Sequence, residues 1–241
     1  MERADLLVVH ASELLTLRGR GLRRKAAMRD LGVVKDGAVA VRGDRIVATG
    51  TTRQLTRKFR AERVLDAGGR VVMPAFVDPH THLVFGGWRD FELPMKLAGK
   101  TYAQILRAGG GIHHTVRETR RASADALLEK AEVAARVALE HGTVTLETKS
   151  GYGLEWRTEA KQLQVARELG RTGPWRIRTT FLGAHAVPQA VDADAYVEDV
   201  VEEQLPRVAA KRLADYADVF CEKGVFSLCL LYTSPSPRDR G

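Results

Sequence analysis

The apolar and polar positions of this chain fall into two regimes. Up to about residue 70, apolar residues come in short, nearly alternating runs, the period of half-buried strands. Residues 4–10 read as a strand, as do Gly37–Val41 and Arg45–Ala48, which are joined by the hairpin signal Arg42-Gly43-Asp44. Arg63–Asp66, then Gly68-Gly69, then Arg70–Val72 continue the series, so residues 1–70 are predicted to form a small β domain.

From residue 71 the pattern alternates between strand-like and helix-like stretches. β-rich runs begin near residues 71, 143, 176 and 216. Ser123 is a suitable N-cap for a helix running to about His141 and closed by Gly142, with Leu127, Ala131, Ala134 and Ala138 as its buried stripe. Further helices are predicted over 101–108, 158–169 and 192–210. Gly109-Gly110-Gly111 reads as a flexible loop that carries His113 and His114. Strands alternating with helices predict a parallel sheet. Each strand is followed by polar or Gly-rich sequence, which is where a (β/α)8 barrel keeps its active-site loops. A whole barrel takes about 250 residues and about 155 lie between 71 and 227. The predicted fold class is therefore α/β, a TIM-type (β/α)8 barrel of which about the first half is present.

The stretch Leu228–Gly241, LCLLYTSPSPRDRG, breaks with what precedes it. Its Ser-Pro-Ser-Pro run is a turn or disorder signal, and its composition resembles translated adapter or vector sequence. Residues 228–241 are expected to be a non-native disordered tail, with the native sequence stopping near Ser227.

Composition narrows the class without deciding it. No apolar run approaches the roughly 20 residues of a membrane span, and the N-terminus lacks a signal-peptide pattern. Two cysteines, Cys221 and Cys229, argue against a disulfide framework and fit a reducing, cytoplasmic setting. The net charge of +8 is uneven: residues 1–73 hold 16 Lys/Arg against 8 Asp/Glu, and the remaining 168 hold 22 of each. The excess centres on Arg18–Lys25 and Arg53–Arg63, where Phe59 is the one aromatic. Nucleic-acid surfaces interleave aromatics with cations, so these runs are read as a solvated loop and a charged helix face, with no nucleic-acid partner and no membrane partner expected.

The chemistry concentrates in Val71–Phe85, where an apolar run ends in Asp78-Pro79-His80-Thr81-His82. Residues i and i+2 of a strand share a face, so His80 and His82 project together. Two imidazoles on one face are half of a divalent-metal site, and Asp78 is placed to orient one of them. Pro79 has no N–H and puts the pair at a strand end.

Five runs carry a family resemblance. They are Pro74–Gly87 (PAFVDPHTHLVFGG), Ala108–His113 (AGGGIH), Glu147–Leu154 (ETKSGYGL), Thr180–Pro188 (TFLGAHAVP) and Asp218–Glu222 (DVFCE). Over residues 4–227 the chain resembles the imidazolonepropionase family, cyclic-amide hydrolases of histidine degradation within the amidohydrolase superfamily. The resemblance implies a barrel with a β-sandwich built from both termini, and one zinc or iron ion at the barrel mouth. It implies hydrolysis of 4-imidazolone-5-propanoate to N-formimidoyl-L-glutamate, and it leaves a homodimer open for the full-length protein. His80 and His82 match its metal ligands; Arg89, Tyr152 and His185 match its substrate contacts. In that role a guanidinium at Arg89 holds the propionate, the Tyr152 hydroxyl meets a polar ring or carboxylate, and His185 hydrogen-bonds the ring carbonyl. Lys149 is read as structural, because the resemblance is to a mononuclear family. The family's third metal histidine, its metal-binding aspartate and its catalytic histidine and glutamate lie on later strands, beyond residue 227. The chain as given is therefore expected to be inactive. Two alternatives stay open: another cyclic amidohydrolase of the dihydroorotase or hydantoinase kind, and a basic nucleic-acid-binding module.

Overall fold

A computed structural model describes residues 1–19, 21–222 and 226. The tail over 228–241 lies outside the described residues. The chain divides into two compact units, Met1–Ala75 and Phe76–Gly241.

The first unit is built on β1 (Glu2–Leu15), which pairs antiparallel with β2 (Val33–Arg42). The predicted turn joins β2 to β3 (Arg45–Thr51), with Gly43 at φ 57°, a conformation that costs glycine little. Thr51 then caps α1 (Thr52–Lys58) with a reciprocal Gln54 contact, a capping box. The chain returns along β4 (Phe59–Asp66) and β5 (Val71–Val72), both parallel to β1. The described strands form one mixed five-stranded sheet. Leu55 of α1 and Phe59 pack on Ala4, Leu7, Val9, Ala38 and Ala40 on one face. The charged residues of α1 point away from that face, as the sequence predicted.

The second unit holds four parallel strands in sequence order: β6 (Phe76–Thr81), β7 (Thr143–Lys149), β8 (Arg176–Ala184) and β9 (Tyr216–Val219). This is the half-barrel arrangement that the alternation predicted. The helices α5 (Ala124–Glu140) and α6 (Trp156–Thr172) cover its outer side. Ser123 Oγ accepts the Ala126 amide and caps α5; Gly142 follows it at φ 89°. The fully buried stripe of α5 is Leu127, Ala131 and Ala135, with Ala134 and Ala138 half-buried beside it. Alanines there let α5 approach Val165, Ala166 and Leu169 of α6 closely. Leu169 is fully buried, and its truncation to alanine would cost about 2–5 kcal/mol.

Three expectations are corrected. The apolar run from Val71 is not one strand: Val71-Val72 pairs with β1 of the first sheet, and the barrel sheet begins at Phe76. Pro74 lies between them, where its missing N–H removes no ladder bond. The Gly109–Gly111 segment leads directly into α4 (Ile112–Arg121), so His113 and His114 sit on a helix and not in a loop. Its N-cap is Gly111 at φ 73°. Two short helices, α2 (Glu92–Leu97) and α3 (Tyr102–Arg107), precede it. The predicted helix over 192–210 is interrupted: α7 (Ala193–Glu198) passes through a π-helical turn, Asp199–Gln204, into α8 (Leu205–Ala210). Pro206 at the start of α8 cannot supply an amide, which accounts for the break in the ladder there. Among the described residues no helix is long and apolar enough to cross a membrane.

Candidate active site

Residues at alternate positions of β7, β8 and β9 face one open cleft, with Glu147, Lys149, Thr180 and Asp218 on its wall. Lys149 Nζ lies 2.7 Å from Glu147 Oε1 and 3.0 Å from Asp218 Oδ2. The Thr180 hydroxyl donates to the same Glu147 oxygen. Burial opposes the charge on Lys149, but its two carboxylate partners outweigh this and raise its pKa. Asp218 is held low by the same pair and by the Val219 amide, against its own burial. Lys149 is thus a buried ion-pair centre, which suits the structural role read for it. Glu147 Oε2 is buried and has no hydrogen-bond partner among the described residues.

Above this wall, at the carboxyl ends of the strands, four rings gather. The ring centroids of His80 and His82 are 5.7 Å apart. His82 stacks on His185 at 4.9 Å with planes 9° apart, and Tyr152 leans on both, 4.9 Å from His82 and 5.2 Å from His185. Burial first, then the charges of His185, His80 and Lys149, lowers the pKa of His82 to about 3, although a backbone bond with Ser150 opposes the shift. His82 is therefore neutral, the form that ligates a metal. Asp78 does not orient an imidazole: its Oδ1 accepts the backbone amide of His80 at 3.2 Å, a local turn contact.

Three segments place the rings: the end of β6 carries His80 and leads into His82, the loop after β7 carries Tyr152, and the end of β8 leads into His185. The segment after β6 is seated by Leu83 N–H on Thr148 Oγ1 at 3.1 Å, and by the Thr81 hydroxyl on the Glu147 carbonyl at 2.7 Å. His185 Nδ1 lies 2.9 Å from the Gly151 carbonyl. A carbonyl only accepts, so Nδ1 carries the hydrogen, and Nε2 of the neutral ring is an acceptor. Gly151 has φ 103°, and a Cβ there would stand 2.8 Å from His185 Nδ1, so only glycine fits.

Arg89 follows the ring cluster on the loop after β6. Its side chain is 39% exposed, and its Nε lies 3.9 Å from Glu92 Oε1. Its charge also lowers the pKa of both Tyr152 and His185, in each case against or beside a larger effect of burial. Glu92 is buried, yet its carboxyl stays below the usual range. Burial opposes this, and the Gly111 amide at 2.6 Å, Arg89 and Lys96 outweigh it. Lys130 of α5 places its ammonium 3.4 Å from the Phe85 ring centroid and 3.8 Å from that of Trp88, and donates to the Gly87 carbonyl.

All five predicted site residues lie at one end of the sheet. Sequence reasoning missed the residues that hold them: Glu92, Lys130, Glu159 and Gln162. The one available signal was Glu159, an acid in the first turn of a helix that follows a Gly-rich loop.

A divalent ion fits this corner in part. His80 and His82 supply two imidazoles, and His82 Nδ1 is buried without a partner among the described residues. Among the described residues no group of three His, Cys, Asp or Glu could hold an ion, whereas a catalytic zinc takes three protein ligands.

A parallel half barrel with paired histidines at the strand ends is the arrangement that the amidohydrolase resemblance implied. The amidohydrolase family model matches residues 63–114, and that of the bacterial imidazolonepropionase-like composite domain matches residues 37–61. Curated proteins named imidazolonepropionase are similar over nearly the whole chain. That of Geobacillus kaustophilus is 46% identical over 231 residues, covering 92% of this chain and 54% of its own length. Those of Symbiobacterium thermophilum and Chloroflexus aggregans are 47% and 45% identical, covering 95% of this chain and 55% and 56% of theirs. The chain is thus similar to imidazolonepropionases over nearly its whole length, and it spans about half the length of the curated relatives it matches. Among solved structures, a zinc-bound adenosine deaminase from Xanthomonas campestris is 19% identical, with a TM-score of 0.49, covering 88% of this chain and 48% of that one.

Proposed function

We propose that the whole protein hydrolyses the ring amide C–N bond of 4-imidazolone-5-propanoate to N-formimidoyl-L-glutamate. The observation that carries this reading is the convergence of His80, His82, Tyr152 and His185, linked by ring contacts of 4.9–5.7 Å at the carboxyl end of the sheet, with Arg89 in electrostatic reach. The sequence similarity to imidazolonepropionases supports it. His80 and His82 would hold one zinc or iron ion, with further ligands from outside the described residues. Such an ion supplies an activated water at neutral pH and polarises a carbonyl.

The remaining roles belong to residues of this chain. Arg89 binds the propionate carboxylate through its planar fork. His185 Nε2 accepts a ring N–H and so fixes the face that the ring presents. The Tyr152 hydroxyl, kept protonated by burial, donates to a ring or carboxylate oxygen. A general base elsewhere in the protein takes a proton from the attacking water, the oxygen adds to the carbonyl carbon, the C–N bond breaks, and the same base returns the proton to the leaving ring nitrogen. A reducing cytoplasm is the matching location.

The test is turnover by the complete reading frame, loaded with zinc or iron, against imidazolone propionate, dihydroorotate and a hydantoin. A product one water heavier from imidazolone propionate alone is expected. Preference for either other ring would keep the reaction class and overturn the substrate.

A further inference from the structure

Glu159, in the first turn of α6, is completely buried and is not needed for any step above. Its carboxylate is nevertheless the centre of the loop that links β7 to α6. Oε2 accepts the Gly151 amide at 2.8 Å, and Oε1 accepts the amides of Gly153 at 2.7 Å and Leu154 at 2.8 Å. Burial raises its pKa, while the Ser150 side chain and these amides favour its charged form. Three successive contacts in four residues leave the Tyr152 backbone little freedom. Leu154 is held at φ 52° and Gly151 at φ 103°, conformations that need support. A Cβ on Gly153 would stand 2.6 Å from the Glu159 nitrogen and 2.9 Å from Oε1, so the loop lies directly against the acid.

The peptide unit at Gly151 carries this further. Its amide is bound by Glu159, and its own carbonyl receives His185 Nδ1 at 2.9 Å. One carboxylate therefore sets the position of Tyr152 and, through a single residue, the tautomer of His185. We infer that Glu159 is the positioning residue of the substrate pocket, holding the 150–154 loop so that Tyr152 and His185 Nε2 face the ligand together. Glu159 does not touch the substrate. The inference rests on the reading of Tyr152 and His185 as substrate contacts.

The experiment uses the full-length protein and Glu159→Gln, which keeps the shape and one acceptor oxygen but puts an N–H donor where the second oxygen accepted a loop amide. Three quantities are read: hydrogen exchange over residues 150–154, the 15N shifts of His185, and KM against kcat. Exchange over 150–154 should rise about tenfold or more. His185 should become a mixture of tautomers, and KM should rise about tenfold with kcat changed far less. If this variant does not fold, Glu159→Asp keeps the charge, draws the carboxylate back from the loop, and should give the same pattern in milder form. Unchanged exchange and an unchanged His185 tautomer would overturn the inference, as would a fall in melting temperature with no change in KM. Exchange and 15N shifts need no substrate. A wild-type protein that ignores imidazolone propionate while its loop still loosens in Glu159→Gln would overturn the substrate reading and leave the clamp standing.

Discussion

His82 and His185 stack face to face, their ring planes 9° apart and their centroids separated by 4.9 Å, although they end different strands of the sheet. The contact joins the two histidines proposed as metal ligands to the residues proposed to meet the substrate.

Replacing His80 or His82 by alanine in the full-length protein should lower metal content and turnover together, from about one ion per chain. Elemental analysis and activity on the same sample check this. Full metal content in His82→Ala would remove it from the ligand set.

Arg89→Ala should keep the metal and raise KM. The guanidinium is partly exposed, so the loss should fall near the lower end of about 2–4 kcal/mol in transition-state binding. Arg89→Lys should recover only part of this, because an ammonium cannot reproduce the bidentate fork. Kinetics on an analogue lacking the carboxylate decide the matter, since equal loss on both substrates would mean that Arg89 supports the loop and not the ligand.

Glu92 gives a pH dependence whose sign follows from its lowered pKa. The unfolded carboxyl titrates near 4.5 and the folded one below it, so its contribution is present above 4.5 and is lost as pH falls through the folded value. Glu92→Gln keeps an acceptor for the Gly111 amide and loses the attraction to Arg89 and Lys96. It should melt below the wild type at pH 7, and the gap should close toward pH 3. A gap that stays constant would show that the charge contributes nothing.

Lys130 should couple to the ring faces it sits between. A double-mutant cycle of Lys130→Met with Trp88→Leu, read by thermal or denaturant unfolding, should give an interaction of about 0.5–2 kcal/mol. Additive effects would mean that the ammonium packs there without attraction.

The local devices of this fold were legible in the sequence because each is complete within a few residues. The turn at Arg42-Gly43-Asp44 and the Ser123 cap need no distant partner. The break between Val72 and Phe76 was not legible. Both halves carry strand-forming residues, and which sheet each joins is decided by partners as far away as Glu13 and Thr143. The helix carrying His113 and His114 was hidden by its glycines. The Gly111 amide finds its partner in Glu92, nineteen positions earlier. The rings of the site were readable as residues, but what aims them was not. Nothing in Lys-Ser-Gly-Tyr-Gly says that Glu159 lies beneath it.

Gln162 has a consequence for anyone who would rebuild this site. Its Nε2 donates to the Val84 carbonyl at 2.7 Å, and its Oε1 receives the Tyr152 amide at 3.2 Å, from a position that is 1% exposed. One side-chain amide thus spans the loop that follows the paired histidines and the loop that carries the tyrosine, with its donor end on one and its acceptor end on the other. The two loops are not interchangeable modules. Grafting either one from a relative with a different backbone path would leave one end of that amide unmatched in a dry interior, at a cost of about 1–3 kcal/mol, so specificity redesign here has to transplant both loops and their shared glutamine as a single cassette.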